Sequence, residues 1–372
     1  MRVLLSTTSG AGHFLPLLPV ARALASAGHE LACAAPVEAR EMVERAGLTH
    51  LTFDGVPPDN EERGAVFARV PTLSHSEAEQ LIGSEIFGRL NTTFALPGAL
   101  AAVDAFAPDL VVHESGELSV ALAAEQAGVR AVAVNPCLSL PTYLSSIVAG
   151  VTGVRADLGL PPDDDWLLRT ETVTWFPAEF DLPDLPGSRV RRYREDRTTV
   201  PSPMSARDLV YVTLGSEASQ LPFFAPVMRS CLAGALTAGL PVVVATGRPV
   251  DGALFDGLGG DLTVHTWVDQ DELLSRARVV VCHAGAGTTL GSLRAGVPVV
   301  AVPLFADQPH NAARLEATGT GVQVPPGPEL EAGVAEAVRQ LAQAEPSACL
   351  DMASRITALP PISTAVPWLE GR

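Results

Sequence analysis

Basic residues are scarce in this chain. Among 372 residues, 25 Lys plus Arg stand against 42 Asp plus Glu, a formal net charge of −17. Neutralising a phosphate backbone takes a basic face, and no basic stretch of any length is present, so nucleic acid is excluded as a main ligand. The same imbalance excludes docking on anionic membranes. A small anion is still allowed, because a helix N-terminus binds one without any excess of Lys or Arg. Long apolar runs are also missing. None reaches the ~18 residues of a membrane-spanning helix, and Met1–Leu5 leads into a glycine-bearing loop rather than a signal-peptide core. Cysteine is sparse and scattered at positions 33, 137, 231, 282 and 349, with no C-x-x-C pair and no His at zinc spacing. That distribution predicts buried thiols in a reducing cytoplasm, not a disulfide framework or a metal centre.

What is present is apolar material, 47% of the chain against 18% charged, enough for more than one buried core. It is laid out as strand, turn and amphipathic helix in repetition, which predicts an α/β doubly wound architecture. Val3–Leu5 reads as a strand, Ser6–His13 as a small-residue loop and Leu15–Ala27 as a helix stopped by Gly28. Strands follow at His29–Ala34, Leu110–Val112 and Ala131–Val134, with a helix at Leu118–Ala127. Gly55–Ser84 is polar and weakly periodic and reads as a long mobile loop. Arg194–Ser205 reads as a linker. The pattern then restarts with strand Leu209–Thr213, a Gly215-Ser216 turn, helix Phe223–Ala238 and strand Pro241–Ala245. It continues with strand Arg278–Cys282, helix Thr288–Ala295, strand Val297–Val302 and helix Asn311–Thr318. The expected organisation is a first Rossmann-like domain over 1–200, a second over 201–355, and a terminal segment 356–372. Trp368 and Leu369 in that segment are too apolar to leave in water and should pack back on the first domain.

Ligands of open α/β sheets bind outside the carboxyl ends of the strands, so polar residues there carry the functional reading. His13 follows Ser9-Gly10-Ala11-Gly12 at the end of the first strand and opens a helix, a place that keeps an imidazole neutral and able to accept a proton. Capping the helix is the plainer role for it. Glu114 follows the strand Asp109–His113 at the same edge and is the preferred carboxylate to orient that base. Glu117, one turn on, is the other choice, and both could simply be acids at a helix start. Gly10-x-Gly12 is an incomplete dinucleotide fingerprint without its later acidic residue, which excludes a nicotinamide role.

The second half carries the stronger cluster. His283-Ala-Gly285-Ala-Gly287-Thr288-Thr289 leaves a strand and opens a helix, so glycines, hydroxyls and a helix dipole converge where a diphosphate would sit. It is not a Walker A loop, because no Gly-Lys-Ser/Thr is present. Trp267 stands at another strand end, where it could stack on a nucleobase or bury in the core. Asp307-Gln308 ends a further strand and offers acceptors and donors to sugar hydroxyls. Asp163-Asp164-Asp165 superficially resembles a metal-binding run but reads as a solvated turn or cap.

The run Trp267-Val268-Asp-Gln-Asp-Glu-Leu-Leu, then His283-Ala-Gly-Ala-Gly-Thr-Thr-Leu, then Ala-Gly-Val-Pro298 and Pro303-Leu-Phe-Ala-Asp307-Gln308 resembles the nucleotide-sugar signature of the GT-B glycosyltransferases. The similarity is to the actinobacterial natural-product enzymes of the antibiotic and macrolide type. The opening Gly12-His13-Phe-Leu-Pro-Leu-Leu-Pro19 with Ala21-Arg-Ala-Leu24 matches the family's N-terminal motif. This resemblance implies two Rossmann-like domains facing across a cleft. It implies that His13 is the base on the acceptor, that His283, Gly285, Gly287 and Thr288 hold the diphosphate and that Ser216 donates from the interdomain side. Trp267 and Val268 would contact the base, and Asp307 and Gln308 would read the sugar. The family usually has Asp where this chain has Glu114, one methylene longer.

Members that use uridine donors commonly carry Glu where this chain has Gly291. Losing that ribose acceptor fits a donor without a 2′-hydroxyl, a thymidine diphosphate (dTDP) deoxysugar, unless Gly291 only permits close helix packing. The expectation is an inverting, metal-independent transferase in the cytoplasm, with a dTDP-sugar co-substrate, no other cofactor and a hydrophobic aglycone such as a polyketide antibiotic. A nucleotide-sugar epimerase or hydrolase and a catalytically silent partner of another transferase are the alternatives. A homodimer or an activator protein is left open. Acceptor specificity is expected in Gly55–Ser84 and in Asn135–Val154.

Overall fold

The computed structural model describes residues 1–196 and 201–372. Residues 197–200 of the expected linker lie outside the described residues. The chain divides into two compact units.

The first unit comprises Met1–Trp175, Leu182–Asp196 and Pro360–Arg372. Its strands are β1 (Arg2–Ser6), β2 (Glu30–Pro36), β3 (Thr49–Phe53), β4 (Leu110–Glu114), β5 (Arg130–Asn135), β6 (Glu171–Thr174) and β7 (Arg189–Arg192). All are parallel, in the order β3-β2-β1-β4-β5-β6-β7. A parallel strand covered on both faces needs a continuous apolar run rather than alternation, and every residue of β4 is buried. The helix Thr92–Phe106 supplies Ala95, Ala99, Ala102, Val103 and Phe106 to a core shared with Leu4, Ala32, Ala34 and Val111.

The second unit comprises Phe176–Asp181 and Arg197–Leu359. Its strands are β8 (Leu209–Thr213), β9 (Val242–Ala245), β10 (Leu262–His265), β11 (Ala277–Cys282), β12 (Val299–Ala301) and β13 (Gly321–Gln323). They too are parallel, in the order β10-β9-β8-β11-β12-β13. The helices Phe224–Leu236 and Leu330–Gln343 bury Met228, Leu232, Val334 and Val338 with Val210, Val212, Val279 and Val281.

Two boundaries differ from the expected ones. Residues 176–181 join the second unit, where Arg314 Nε donates to the Phe180 carbonyl at 2.7 Å and Arg355 pairs with Glu179 at 2.7 Å. The terminal segment starts at Pro360, not 356, because the helix Ser347–Ala358 runs through the expected break. In the first unit, Arg194 N donates to the Pro360 carbonyl at 3.0 Å and Ile362 N to the Arg194 carbonyl at 2.9 Å. The guanidinium groups of Arg130 and Arg191 stand over the Trp368 ring, 5.1 and 4.6 Å from its centroid, a favourable place for a cation.

Gly55–Ser84 is largely helical, which corrects the loop expectation. It contains helices Glu61–Arg69 and His75–Leu81 and enters a π-helical stretch at Ile82–Asn91. The starts are chemically marked. Asn60 caps the first, and Ser74 with Glu77 forms a capping box on the second, each satisfying backbone N–H groups that a helix start leaves orphaned. The π-helical stretch packs on the helix Pro141–Asp157 through glycines. A Cβ at Gly88 would stand 2.6 Å from the Ile147 carbonyl oxygen, and one at Gly150 would collide with the Ser84 carbonyl. Among the described residues no helix is long and apolar enough to cross a membrane.

The glycine contact gives a stability test. Gly150→Ala must push two backbones apart and is expected to cost ~1–3 kcal/mol in urea unfolding, as overpacked sites do. Gly153→Ala on the same helix meets open space and is expected to be neutral or to stabilise by ~0.5–1 kcal/mol. Equal behaviour of the two variants would contradict this packing.

Candidate active site

In each unit the strand order reverses beside the first strand, between β1 and β4 and between β8 and β11. Loops leaving two such strands diverge to opposite sides and leave a crevice at their carboxyl ends. Both crevices carry the polar residues expected there.

In the first unit β1 leads through Gly10, at φ 104°, into the short helix Ala11–Phe14 that bears His13. β4 ends on Glu114, 2% exposed, whose Oε2 stands 3.0 Å from His13 Nδ1. The longer glutamate therefore reaches the imidazole. Gly116 N donates to Glu114 Oε1 at 2.9 Å, and Ser115 Oγ adds a contact at 3.2 Å. Burial alone would raise the Glu114 pKa. The charge and hydrogen bond of His13, the Gly116 N–H and the charge of His113 outweigh it and hold the carboxyl below its usual value. The carboxylate form is thus favoured beside the imidazole. Phe87, carried by the π-helical stretch, faces His13 with ring centroids 6.0 Å apart. A Cβ at Gly116 would stand 3.1 Å from both the Phe87 ring and Glu114 Oε2, so the absence of a side chain lets ring and carboxylate close on one another.

Glu117 is not part of this pair. It is buried, accepts from Ser6 Oγ at 2.5 Å and from Ser119 N at 2.9 Å, and so pins the start of the helix Ser119–Gln126 to the end of β1.

In the second unit β11 runs into His283, and Gly285 starts the helix Ala286–Ala295 without a side-chain cap. First-turn N–H groups that no side chain caps are open to an anion. The His283 ring fills the space beside two glycines. A Cβ at Gly215 would stand 2.8 Å from its Nε2, and one at Gly285 would collide with the same atom. Burial depresses the His283 pKa to about 4 against the weaker pull of a hydrogen bond to the Thr213 backbone. The ring is therefore neutral at pH 7. Thr288 and Thr289 are buried, and Thr289 Oγ1 has no hydrogen-bond partner among the described residues. Ser216 follows Gly215 and is partly exposed; its carbonyl accepts from Arg248 Nε at 3.0 Å.

Four more expected positions fall at the same sheet edge. Trp267, 63% exposed, lies with Val268 on the loop beyond β10. That loop is tied to the anion loop by Gln270, whose Nε2 donates to Thr288 Oγ1 at 3.2 Å. Asp307 precedes the helix Gln308–Ala317, and its Oδ2 accepts from Asn311 Nδ2 at 2.8 Å. Gln308 is buried, and its Oε1 accepts from Leu304 N and Phe305 N at 2.8 and 3.0 Å. Its carbonyl thus braces the loop, which leaves only the amide N–H₂ for a ligand. Asp163 ties into the Asp165 N–H and the Arg169 guanidinium, as a turn would.

Sequence reasoning missed Phe87, Gln270 and Asn311. Asn311 was legible in principle, four residues beyond Asp307 on one helix face. Gln270 lies within the matched signature. Nothing local marks Phe87, which the π-helical register delivers.

The depressed His283 pKa gives a pH test. Its folded value lies below the ordinary 6.5, so protonation favours the unfolded chain, and acid destabilises the unit progressively from about pH 6.5 down to about 4. Imidazole NMR titration is expected to place His283 near 4. A midpoint at or above 6.5 would contradict the neutral ring.

The chain is 31% identical over 341 residues to an L-demethylnoviosyl transferase of Streptomyces niveus, across 87% of this chain and 85% of that protein. Among solved structures, spinosyn rhamnosyltransferase SpnG superposes with a TM-score of 0.81 at 20% identity, covering 100% of each chain. The Streptomyces sp. SF2575 glycosyltransferase SsfS6, complexed with thymidine diphosphate, gives 0.76 at 23%, again over 100% of each. The fold is that of these GT-B glycosyltransferases. The family model described as UDP-glucoronosyl and UDP-glucosyl transferase matches residues 165–370, and the chain belongs to that glycosyltransferase family.

Proposed function

We propose that this glycosyltransferase moves a deoxysugar from a thymidine diphosphate donor to a hydroxyl of a hydrophobic aglycone, with inversion at the anomeric carbon. The observation that carries the reading is the 3.0 Å contact between His13 Nδ1 and Glu114, at the carboxyl edge of the first unit's sheet, in a chain whose second unit bears an anion loop at the carboxyl edge of its own sheet. Glu114 takes Nδ1, so Nε2 is left to remove the acceptor proton, and the carboxylate stabilises the imidazolium that forms. The acceptor oxygen bonds to the anomeric carbon as the bond from that carbon to the diphosphate oxygen breaks. The leaving diphosphate takes its charge to the N–H groups of the helix Ala286–Ala295, with Thr288 and Ser216 as side-chain donors, while His283, its single N–H engaged by the Thr213 backbone, shapes the loop between Gly215 and Gly285. Preorganised donors of this kind need no reorganisation as charge develops. Trp267 and Val268 contact the nucleobase, and Asp307 with the Gln308 amide reads the sugar. The scheme routes no step through a metal or a further cofactor.

Gly291 supports the thymidine assignment. It is buried against the helix Gln270–Arg276, with Leu274 Cδ1 3.0 Å and Gln270 Oε1 3.3 Å from where a Cβ would stand. Position 291 therefore offers no carboxylate to a ribose 2′-hydroxyl. One structural neighbour points the same way: the SsfS6 structure holds thymidine diphosphate. The chemically equipped His13–Glu114 pair favours an enzyme over a silent binding partner.

Calorimetric titration of thymidine diphosphate and uridine diphosphate into the protein tests the donor. Tighter thymidine binding is expected. Uridine preference would overturn the Gly291 argument, and binding of neither would overturn the donor site.

A further inference from the structure

Asn311 is fully buried and makes two hydrogen bonds from one atom. Its Nδ2 donates at 2.8 Å to the Ala284 carbonyl and at 2.8 Å to Asp307 Oδ2. Both neighbours are acceptors only, so the amide has one workable orientation. The two partners are the two halves of the proposed donor site. Ala284 lies between His283 and Gly285 in the anion loop, and Asp307 is the sugar-reading carboxylate.

Ala284 also holds a left-handed backbone, φ 62°, and its side chain is fully buried. A non-glycine residue keeps that conformation only where its surroundings over-determine it. The bond from Asn311 to its carbonyl is such a constraint. Meanwhile Asn311 Oδ1 is buried without a hydrogen-bond partner among the described residues. The two bonds from its donor end are what fix the amide's orientation.

We infer that Asn311 is a positioning residue that couples the diphosphate loop to the sugar-reading carboxylate, so that one amide sets both the left-handed turn at Ala284 and the place of Asp307. The inference rests on the donor-site reading above. It assigns Asn311 no contact with substrate; the residue acts through Ala284 and Asp307.

The test uses the whole chain and two probes, thymidine diphosphate and thymidine diphosphate glucose, titrated calorimetrically. Asn311→Ala is expected to weaken thymidine diphosphate by about tenfold, the worth of one well-placed hydrogen bond, and to abolish the additional affinity contributed by the sugar. Asp307→Ala is expected to lose only the sugar increment. In the Asn311→Ala background, Ala284→Gly is expected to restore thymidine diphosphate affinity, because glycine adopts φ 62° without the strut. It should not restore the sugar increment, because Asp307 is still unheld. This split separates positioning from general damage, since a merely structural loss would lower melting temperature and depress both affinities together, with no recovery from glycine. Wild-type affinities in Asn311→Ala, or equal loss of both probes unrelieved by Ala284→Gly, would overturn the coupling while leaving the donor site standing. Failure of the unaltered protein to bind either probe would overturn the donor reading and this inference with it.

Discussion

Strand order is the constraint on which the rest depends. Both sheets are fully parallel and both reverse direction of winding beside their first strand. That topology forces the loops after β1 and β4, and after β8 and β11, to part at the carboxyl edge. Each site is therefore assembled from residues far apart in the chain. His13 meets Glu114, and Gly215 meets His283, because neighbouring strands end together. The registers Ser6 to His113 and Thr213 to Cys282 fix those ends. The chemistry then differs by side chain. One edge pairs a base with a buried carboxylate, and the other presents glycines, hydroxyls and a neutral ring to an anion.

Electrostatics sharpens this division. The chain carries a net charge of −17, which repels an anionic donor at long range and gives it no steering. Beyond a Debye length of about 8 Å salt screens much of that repulsion. The groups offered locally are uncapped N–H groups and threonine hydroxyls, beside a His283 ring that carries no charge. The same site holds two left-handed alanines, Ala284 at φ 62° and Ala306 at φ 54°, next to His283 and Asp307. Strain of this sort collects where a loop must hold one shape for a ligand.

Much of this was legible in the sequence. Apolar runs marked β1, β4, β5, β8, β9, β11 and β12, because strands buried on both faces need no alternation. The motif residues fell at the expected strand ends. The strands β6, β7 and β13, at or next to a sheet edge, were harder, because Glu171–Thr174, Arg189–Arg192 and Gly321–Gln323 carry little apolar signal of their own and are set by tertiary pairing. The helices within Gly55–Ser84 were overlooked although Asn60 and Ser74-x-x-Glu77 announce helix starts, since low hydrophobicity outweighed the capping signal. Gln308 was assigned by its neighbourhood, and only the structure reveals that its carbonyl is committed to Leu304 and Phe305. The wall that Phe87 makes beside His13 depends on a π-helical register, which no local pattern encodes.

The central claim is that His13, held by Glu114, removes the acceptor proton. Single-turnover sugar transfer by His13→Ala at saturating donor addresses it most directly. The account predicts a rate lower by about 10²–10⁴, the usual worth of a positioned general base, with thymidine diphosphate affinity unchanged. Transfer at the unaltered rate in that variant would contradict it.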